Sequence, residues 1–188
     1  MKPTKRDIIL STSAKLFRER GYSATSMRDI ANAVGIKAAS LYNHISSKQD
    51  ILKDLLMHIA NSFVDGITEI EASSASPAEK IDAIIKLHVH ITTKDYDAIA
   101  LITHDWRHLE EPTLSTFSNM RTSYEQRLKN IIEEGIALGE LRTVNAEIAL
   151  FSILSTMRWL YSWYGKNDAL SPEELQQQLS ICLIKGLM

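Results

Sequence analysis

The chain has 188 residues, 45% of them apolar, 23% charged and with a formal net charge of −2, a balance that excludes a wholly disordered protein. No apolar run approaches the roughly 18–20 residues that cross a bilayer, and no A-x-A-like cleavage site follows the short Ile8-Ile9-Leu10 run, so neither a membrane partner nor a secretory leader is expected. One cysteine, Cys182, rules out an internal disulfide and predicts a reducing, cytoplasmic setting.

The near-neutral charge is a sum of unlike parts. Residues 1–50 carry nine Lys or Arg against four Asp or Glu, a net of +5, while the rest carries twelve against nineteen, a net of −7. A basic head on an acidic body predicts that the head alone meets a polyanion.

Apolar residues recur at three- and four-residue spacing almost throughout, and no alternating strand pattern interrupts them. The chain therefore reads as all-α, with about nine helices near 5–20, 27–34, 38–44, 48–71, 78–92, 95–109, 113–138, 146–164 and 172–187. Ser26 with Asp29, and Ser47 with Asp50, have the spacing of capping boxes, in which the hydroxyl accepts from an otherwise unpaired amide. Ser171-Pro172-Glu173-Glu174 supplies a cap, a first-turn proline and acids at the positive helix end. Gly21, Gly35, Gly139 and Gly165 stand where helices should stop, and Ala72–Pro77 reads as a loop.

The first three helices have a specific packing logic. Leu10, Ala14 and Phe17 form one stripe, with Tyr22 as a lid; Ile30, Ala31 and Val34 form a second inward face. Gly35 turns the chain, Ile36 plugs the corner, and Leu41 with Ile45 face inward from the third helix. A helix, a tight Gly-containing turn and a second short helix make a helix-turn-helix. This arrangement leaves Lys37, Ala38, Ala39, Ser40, Asn43 and His44 outward, where small residues admit the backbone to a major groove and Lys37 or Asn43 reach base edges. Thr25, Ser26, Arg28, Tyr42 and Lys48 are expected to contact phosphates and set the register on a duplex. The competing reading of the same core is a helical protein-interaction module. The reading places a DNA-binding domain at 1–47, its motif at about 27–46, and a second domain at 48–188.

The run Gly21–Ala31, followed by Val34-Gly35-Ile36, Leu41-Tyr42-Asn43-His44-Ile45 and Lys48, resembles the N-terminal domain of TetR-type (TetR/AcrR) transcriptional regulators over about residues 4–64. The resemblance implies a DNA-binding head, an all-helical ligand-binding body and a homodimer joined by its last two helices. It implies a repressor that holds a palindromic, double-stranded operator. One departure stands out: the family usually has Ser or Thr where this chain has Lys37, and lysine accepts no capping hydrogen bond.

The body offers no catalytic constellation: no G-x-S-x-G elbow, no phosphate-binding glycine loop and no H-E-x-x-H occur, so no enzyme and no cofactor are expected. His104 and His108 are spaced i, i+4, and His88 and His90 lie two apart, but the further ligands of a metal site are missing. These histidines read as partly buried, hydrogen-bonded groups. Leu101, His104, Trp106, Phe117, Met120, Arg121, Tyr124, Trp159 and Trp163 are expected to line a ligand pocket, apolar with a few polar tips. Phe151 and Leu154 on one of the last two helices, and Leu175, Leu179, Leu183 and Leu187 on the other, supply the apolar faces for a twofold interface.

The segment Arg158–Tyr164, followed by Leu170–Leu175, resembles a branch of TetR-type regulators of lipid, acyl-CoA or aromatic-acid catabolism. That likeness implies an acyl-CoA or fatty-acid-like effector, with a drug-like or aromatic inducer as the alternative.

Overall fold

The structure is a computed structural model, and residues 3–164 and 170–185 are described. Gly165 and Leu187, expected as a helix stop and an interface residue, lie outside them. Among the described residues there are nine α-helices and one 3₁₀ turn, and no strand. The helices are α1 Lys5–Arg20, α2 Met27–Val34, α3 Ala38–Tyr42, α4 Lys48–Ala72, α5 Pro77–Lys94, α6 Tyr96–His104, α7 Thr113–Ala137, α8 Ala146–Tyr164 and α9 Pro172–Ile184; the 3₁₀ turn is Trp106–His108.

Local chemistry explains the boundaries. Thr4, Ser26, Ser76 and Ser171 each accept from the backbone amide three residues on, and Asp7, Asp29, Glu79 and Glu174 answer by accepting the cap's own amide. Each such box satisfies two donors that a helix start leaves open, worth about 1 kcal/mol. Proline at the first position of α5 and α9 loses no bond there, since that amide has no intrahelical partner. The span expected as a single helix over 95–109 is broken: α6 ends at His104, and Trp106–His108 tightens into a 3₁₀ turn with the His108 amide on the Asp105 carbonyl at 2.9 Å.

The chain forms two compact units, one made of the residues up to Ile59 together with Asp97–Phe117, the other of Ala60–Tyr96 and the residues from Ser118 onward. In the first, α1 packs on α2 and α2 on α3. Its fully buried side chains include Ile9, Phe17, Ile30, Leu41, Ile51 and Leu52. The buried stripe of α1 runs through Ile9, Ser13, Ala14, Leu16 and Phe17, and Leu10, expected to begin it, is half-buried. Ser13 is tolerated there because its hydroxyl donates to the Ile9 carbonyl at 2.8 Å.

In the second unit α5 packs on α8 and α9. Ile67, Ile81, Ile84, Ile85, Leu128, Ile132, Ile153 and Met157 form its core, and each such side chain contributes about 1.5–3 kcal/mol by leaving water. Polar ties tie the same helices together: Arg127 of α7 forms an ion pair with Glu71 of α4, and the Ser180 hydroxyl of α9 donates to Asp82 of α5. No described helix is long and apolar enough to cross a membrane.

Candidate nucleic-acid interface

The first unit presents one surface built for presentation rather than packing. Ser26 caps α2 with its hydroxyl, and the Asp29 carboxyl is held below the ordinary carboxylate range by the Ser26 hydroxyl and then by the Ser26 amide. Ile30 and Ala31 are buried, and the small Ala31 side chain lets α3 approach. The chain reverses at Gly35, whose φ of 74° is left-handed, with the Ile36 amide on the Ala31 carbonyl at 3.0 Å. Leu41 and Ile45 then anchor α3 from beneath. What remains outward is Lys37, Ala38, Ala39, Tyr42, Asn43 and His44, all exposed, with Ser40 half-buried beside them and Tyr42 at 54% exposure.

Lys37 is the N-cap of α3 and makes no side-chain capping bond there. Its ammonium and the exposed Arg28 guanidinium form no ion pair among the described residues. An exposed, unpaired cation beside two alanines offers a duplex both charge and clearance.

Two residues expected to touch phosphate have partners within the chain. Thr25 is 1% exposed, and its hydroxyl donates to the Gly21 carbonyl at 2.9 Å. The Lys48 ammonium donates to the carbonyls of Tyr22 at 2.8 Å and Thr25 at 2.9 Å and lies 4.3 Å from the Tyr22 ring centre. Both residues hold the 21–26 turn in shape by donating to its part-buried carbonyls. Ser26 is exposed, yet its hydroxyl is engaged with Asp29.

One contributor went unforeseen. Arg6 of α1 donates from Nη1 to the His44 carbonyl at 2.6 Å and pairs with Asp54 of α4. It thereby clamps the C-terminal end of α3, where helix carbonyls lack intrahelical partners. A contact across 38 positions leaves no local trace in a sequence.

The residues expected to line a pocket fall in both units. Leu101 and Phe117 are buried and Trp106 half-buried in the first unit, with Trp106 stacked on Phe117 at 5.9 Å. Tyr124 is buried and Met120 half-buried in the second unit. His104, Arg121, Trp159 and Trp163 are exposed. Arg121 pairs with Glu125 at 3.1 Å, and Trp159 is 68% exposed.

The polar centre of the second unit lies elsewhere. His88 Nε2 and the Tyr124 hydroxyl share a hydrogen bond of 2.9 Å, and the Phe63 ring lies 4.5 Å from His88. Burial pushes the His88 pKa down to about 3, helped by the Arg158 guanidinium, and pushes the Tyr124 hydroxyl up. No group of three or more metal-ligating side chains exists among the described residues.

The expected interface residues also divide. Phe151 is exposed at 70% and shares α8 with exposed Ile148 and Trp159, whereas Leu154 and Leu175 are buried in the chain's own core. Leu179 and Leu183 are half-buried against that core. Leu154 belongs to the core cluster of Ile84, Leu128 and Ile132, and Leu175 packs with Val89 of α5 and Leu160 of α8.

Comparison with known proteins assigns this architecture. Residues 9–55 match the family of bacterial regulatory proteins, tetR family, and residues 74–187 match the tetracyclin repressor-like C-terminal domain. The chain belongs to the TetR family. It is therefore a DNA-binding transcriptional regulator with an N-terminal helix-turn-helix and a C-terminal helical bundle. Among TetR-family relatives, the HTH-type transcriptional repressor KstR2 of Rhodococcus jostii is 27% identical, covering 99% of this chain and 92% of the relative. The structure of the ketosteroid transcriptional regulator KstR2 of Mycobacterium tuberculosis superposes with a TM-score of 0.93 at 23% identity, covering 100% of this chain and 97% of that one. AibR, solved in complex with isovaleryl coenzyme A and operator DNA, matches with a TM-score of 0.81 at 25% identity over 98% of each chain. These TetR-family likenesses extend over head and body alike.

Proposed function

We propose that this TetR-family regulator is a repressor that binds a palindromic operator as a homodimer and is released by a hydrophobic effector of the acyl-CoA class. The observation that carries the DNA half is the exposed row Lys37, Ala38, Ala39, Tyr42, Asn43 and His44 mounted on buried Leu41 and Ile45. In this reading residues 1–47 read the duplex, residues 48–188 bind effector and partner, and the protein acts in the cytoplasm by binding rather than by turnover. Lys37 and Asn43 address base edges; Arg28 and Tyr42 address phosphates. The exposed Ile148, Phe151 and Trp159 of α8 support the dimer, since a helix stripe of large apolar side chains in water favours a covering partner. Two heads on one palindrome must stand one helical turn apart, ~34–36 Å.

The acyl-CoA class is supported by the likeness to AibR, whose solved complex holds isovaleryl coenzyme A. Release needs only that effector prefer the non-binding state; a preference of about a hundredfold supplies ~2.7 kcal/mol. The test starts by enriching a duplex from a random-sequence pool with the full chain, then titrating short- and long-chain acyl-CoA thioesters against that complex, with coenzyme A alone as control. Enrichment of a twofold-symmetric site and release by a thioester support the reading. Release by none of the thioesters removes the effector class, and failure to enrich any duplex removes the DNA half.

A further inference from the structure

The first compact unit contains a segment from far along the chain, Asp97–Phe117. Its attachments to the helix-turn-helix are specific. The Asp97 carboxylate accepts from Arg18 Nε of α1 at 2.5 Å. The His108 carbonyl accepts from the Gln49 side-chain amide at 2.5 Å. The His108 imidazole stacks on the Tyr22 ring, with centroids 5.1 Å apart and planes 29° apart.

Tyr22 is the hub of these contacts. It is buried, and the Phe17 ring meets it edge-on at 5.1 Å. The Lys48 ammonium lies over its ring and takes its carbonyl. The turn that Tyr22 opens runs to Ser26, the cap of α2, and α2 in turn carries α3. Lys48 and Gln49 are consecutive residues at the start of α4, so one helix end grips the turn from one side and the 106–108 turn from the other.

We propose that His108 is a positioning residue for DNA reading: its ring and carbonyl latch the Trp106–His108 turn onto Tyr22 and Gln49, and this latch sets the pose in which α2 and α3 meet the duplex. The contacts described above fall on Arg18, Tyr22 and Gln49 and not on the outward row of α3, so the proposed contribution is to geometry. An imidazole is well suited to the task. It stacks like an aromatic ring while staying small enough to leave the Tyr22 carbonyl open to Lys48. The latch is one stacked pair and one hydrogen bond, and it stands beside the Arg18–Asp97 pair and the buried Leu109 of the same segment. The proposal rests on the DNA-binding role and is independent of what the effector is.

The experiment uses the full chain, the duplex enriched by the wild-type protein, and a scrambled duplex of equal length. His108→Ala is expected to weaken binding to the enriched duplex roughly three- to tenfold, the range that one ring stacking supplies. Binding to the scrambled duplex is expected to stay as in wild type, since the exposed cations of the head, Arg28 and Lys37, are untouched. His108→Phe, which keeps the stack, restores affinity, and hydrogen exchange at the amides of 22–26 rises in the Ala variant and not in the Phe variant. Gln49→Ala provides a second, milder break that leaves every ring in place and is expected to weaken the enriched duplex in the same selective way. Equal affinity of wild type and His108→Ala, or equal losses in the Ala and Phe variants, overturns the latch. A wild-type chain that enriches no duplex defeats the DNA-binding reading itself, which is a different result.

Discussion

Replacing Lys37 with serine separates two effects that pull in opposite directions. In the native chain Lys37 occupies the N-cap of α3 with an extended backbone, φ −68° and ψ 146°, and no side-chain bond to the amides ahead of it. Serine in that backbone accepts from an amide of the first turn of α3, and a cap of this kind adds about 0.5–1 kcal/mol. α3 spans only five residues, so the gain tightens most of the helix. The same substitution removes an exposed cation from the proposed DNA face. If that ammonium neutralises one phosphate, the slope of log affinity against log salt falls by about 0.9 in magnitude. Lys37→Ser is therefore expected to be the more stable protein and the weaker binder, losing about tenfold at moderate salt. Thermal unfolding measures the first effect, and fluorescence anisotropy with an enriched duplex over a salt series measures the second. Unchanged affinity with an unchanged salt slope refutes the contact; a lowered unfolding temperature refutes the capping argument.

Three further outcomes follow from the geometry. Gly35→Ala forces a Cβ into a left-handed position at φ 74° and is expected to destabilise the chain by about 1–2 kcal/mol, read from urea unfolding. Phe151→Asp places a charge in the exposed apolar stripe of α8 and is expected to shift sedimentation from dimer to monomer while α8 stays folded; a dimer that persists at micromolar concentration counts against α8 as the interface. His88 has a folded pKa of about 3, below the unfolded imidazole value of 6.5, so the unfolded chain takes up a proton first as pH falls. Its contribution to stability is complete above the unfolded pKa and declines as pH drops from about 6.5 towards 3, by at most about 1.4 kcal/mol per pH unit. His88→Gln keeps a partner for Tyr124 and is expected to flatten that part of the stability profile; an unaltered profile contradicts the assignment.

The parts of this fold that were legible in the sequence are those decided within a few residues. The capping boxes at Ser26 and Ser171, the first-turn Pro172 and the stop at Gly35 depend on neighbours three or four positions away; α2 has the bounds the spacing predicts and α9 starts where predicted, though it ends at Ile184 rather than at 187. The third helix is shorter than expected, ending at Tyr42 rather than residue 44, because the His44 amide turns back to the Leu41 carbonyl at 3.0 Å. What lay beyond reach depends on partners distant in the chain. Thr25 and Lys48 have the chemistry of phosphate ligands, yet the Gly21, Tyr22 and Thr25 carbonyls engage them first. Leu154 and Phe151 are both apolar and three apart on α8, and only the packing of α5 decides that Leu154 turns inward while Phe151 stays in water. Aromatic residues announced a bundle rich in rings; periodicity did not say that Trp159 stands outside it. Cys182 is exposed and unpaired, in keeping with the single cysteine.

The central claim is that the surface opening at Lys37 lies in the major groove and that a dimer sets two such surfaces on one duplex. Cys182→Ser removes the native thiol, and Asn43→Cys in that background carries an iron–EDTA reagent at the middle of the outward face. Cleavage of the enriched duplex maps where that residue sits. Two cut clusters separated by about one helical turn, ~10 base pairs, and related by the symmetry of the site are the predicted result. Cuts scattered along the duplex, or a single cluster at saturating protein, contradict the account.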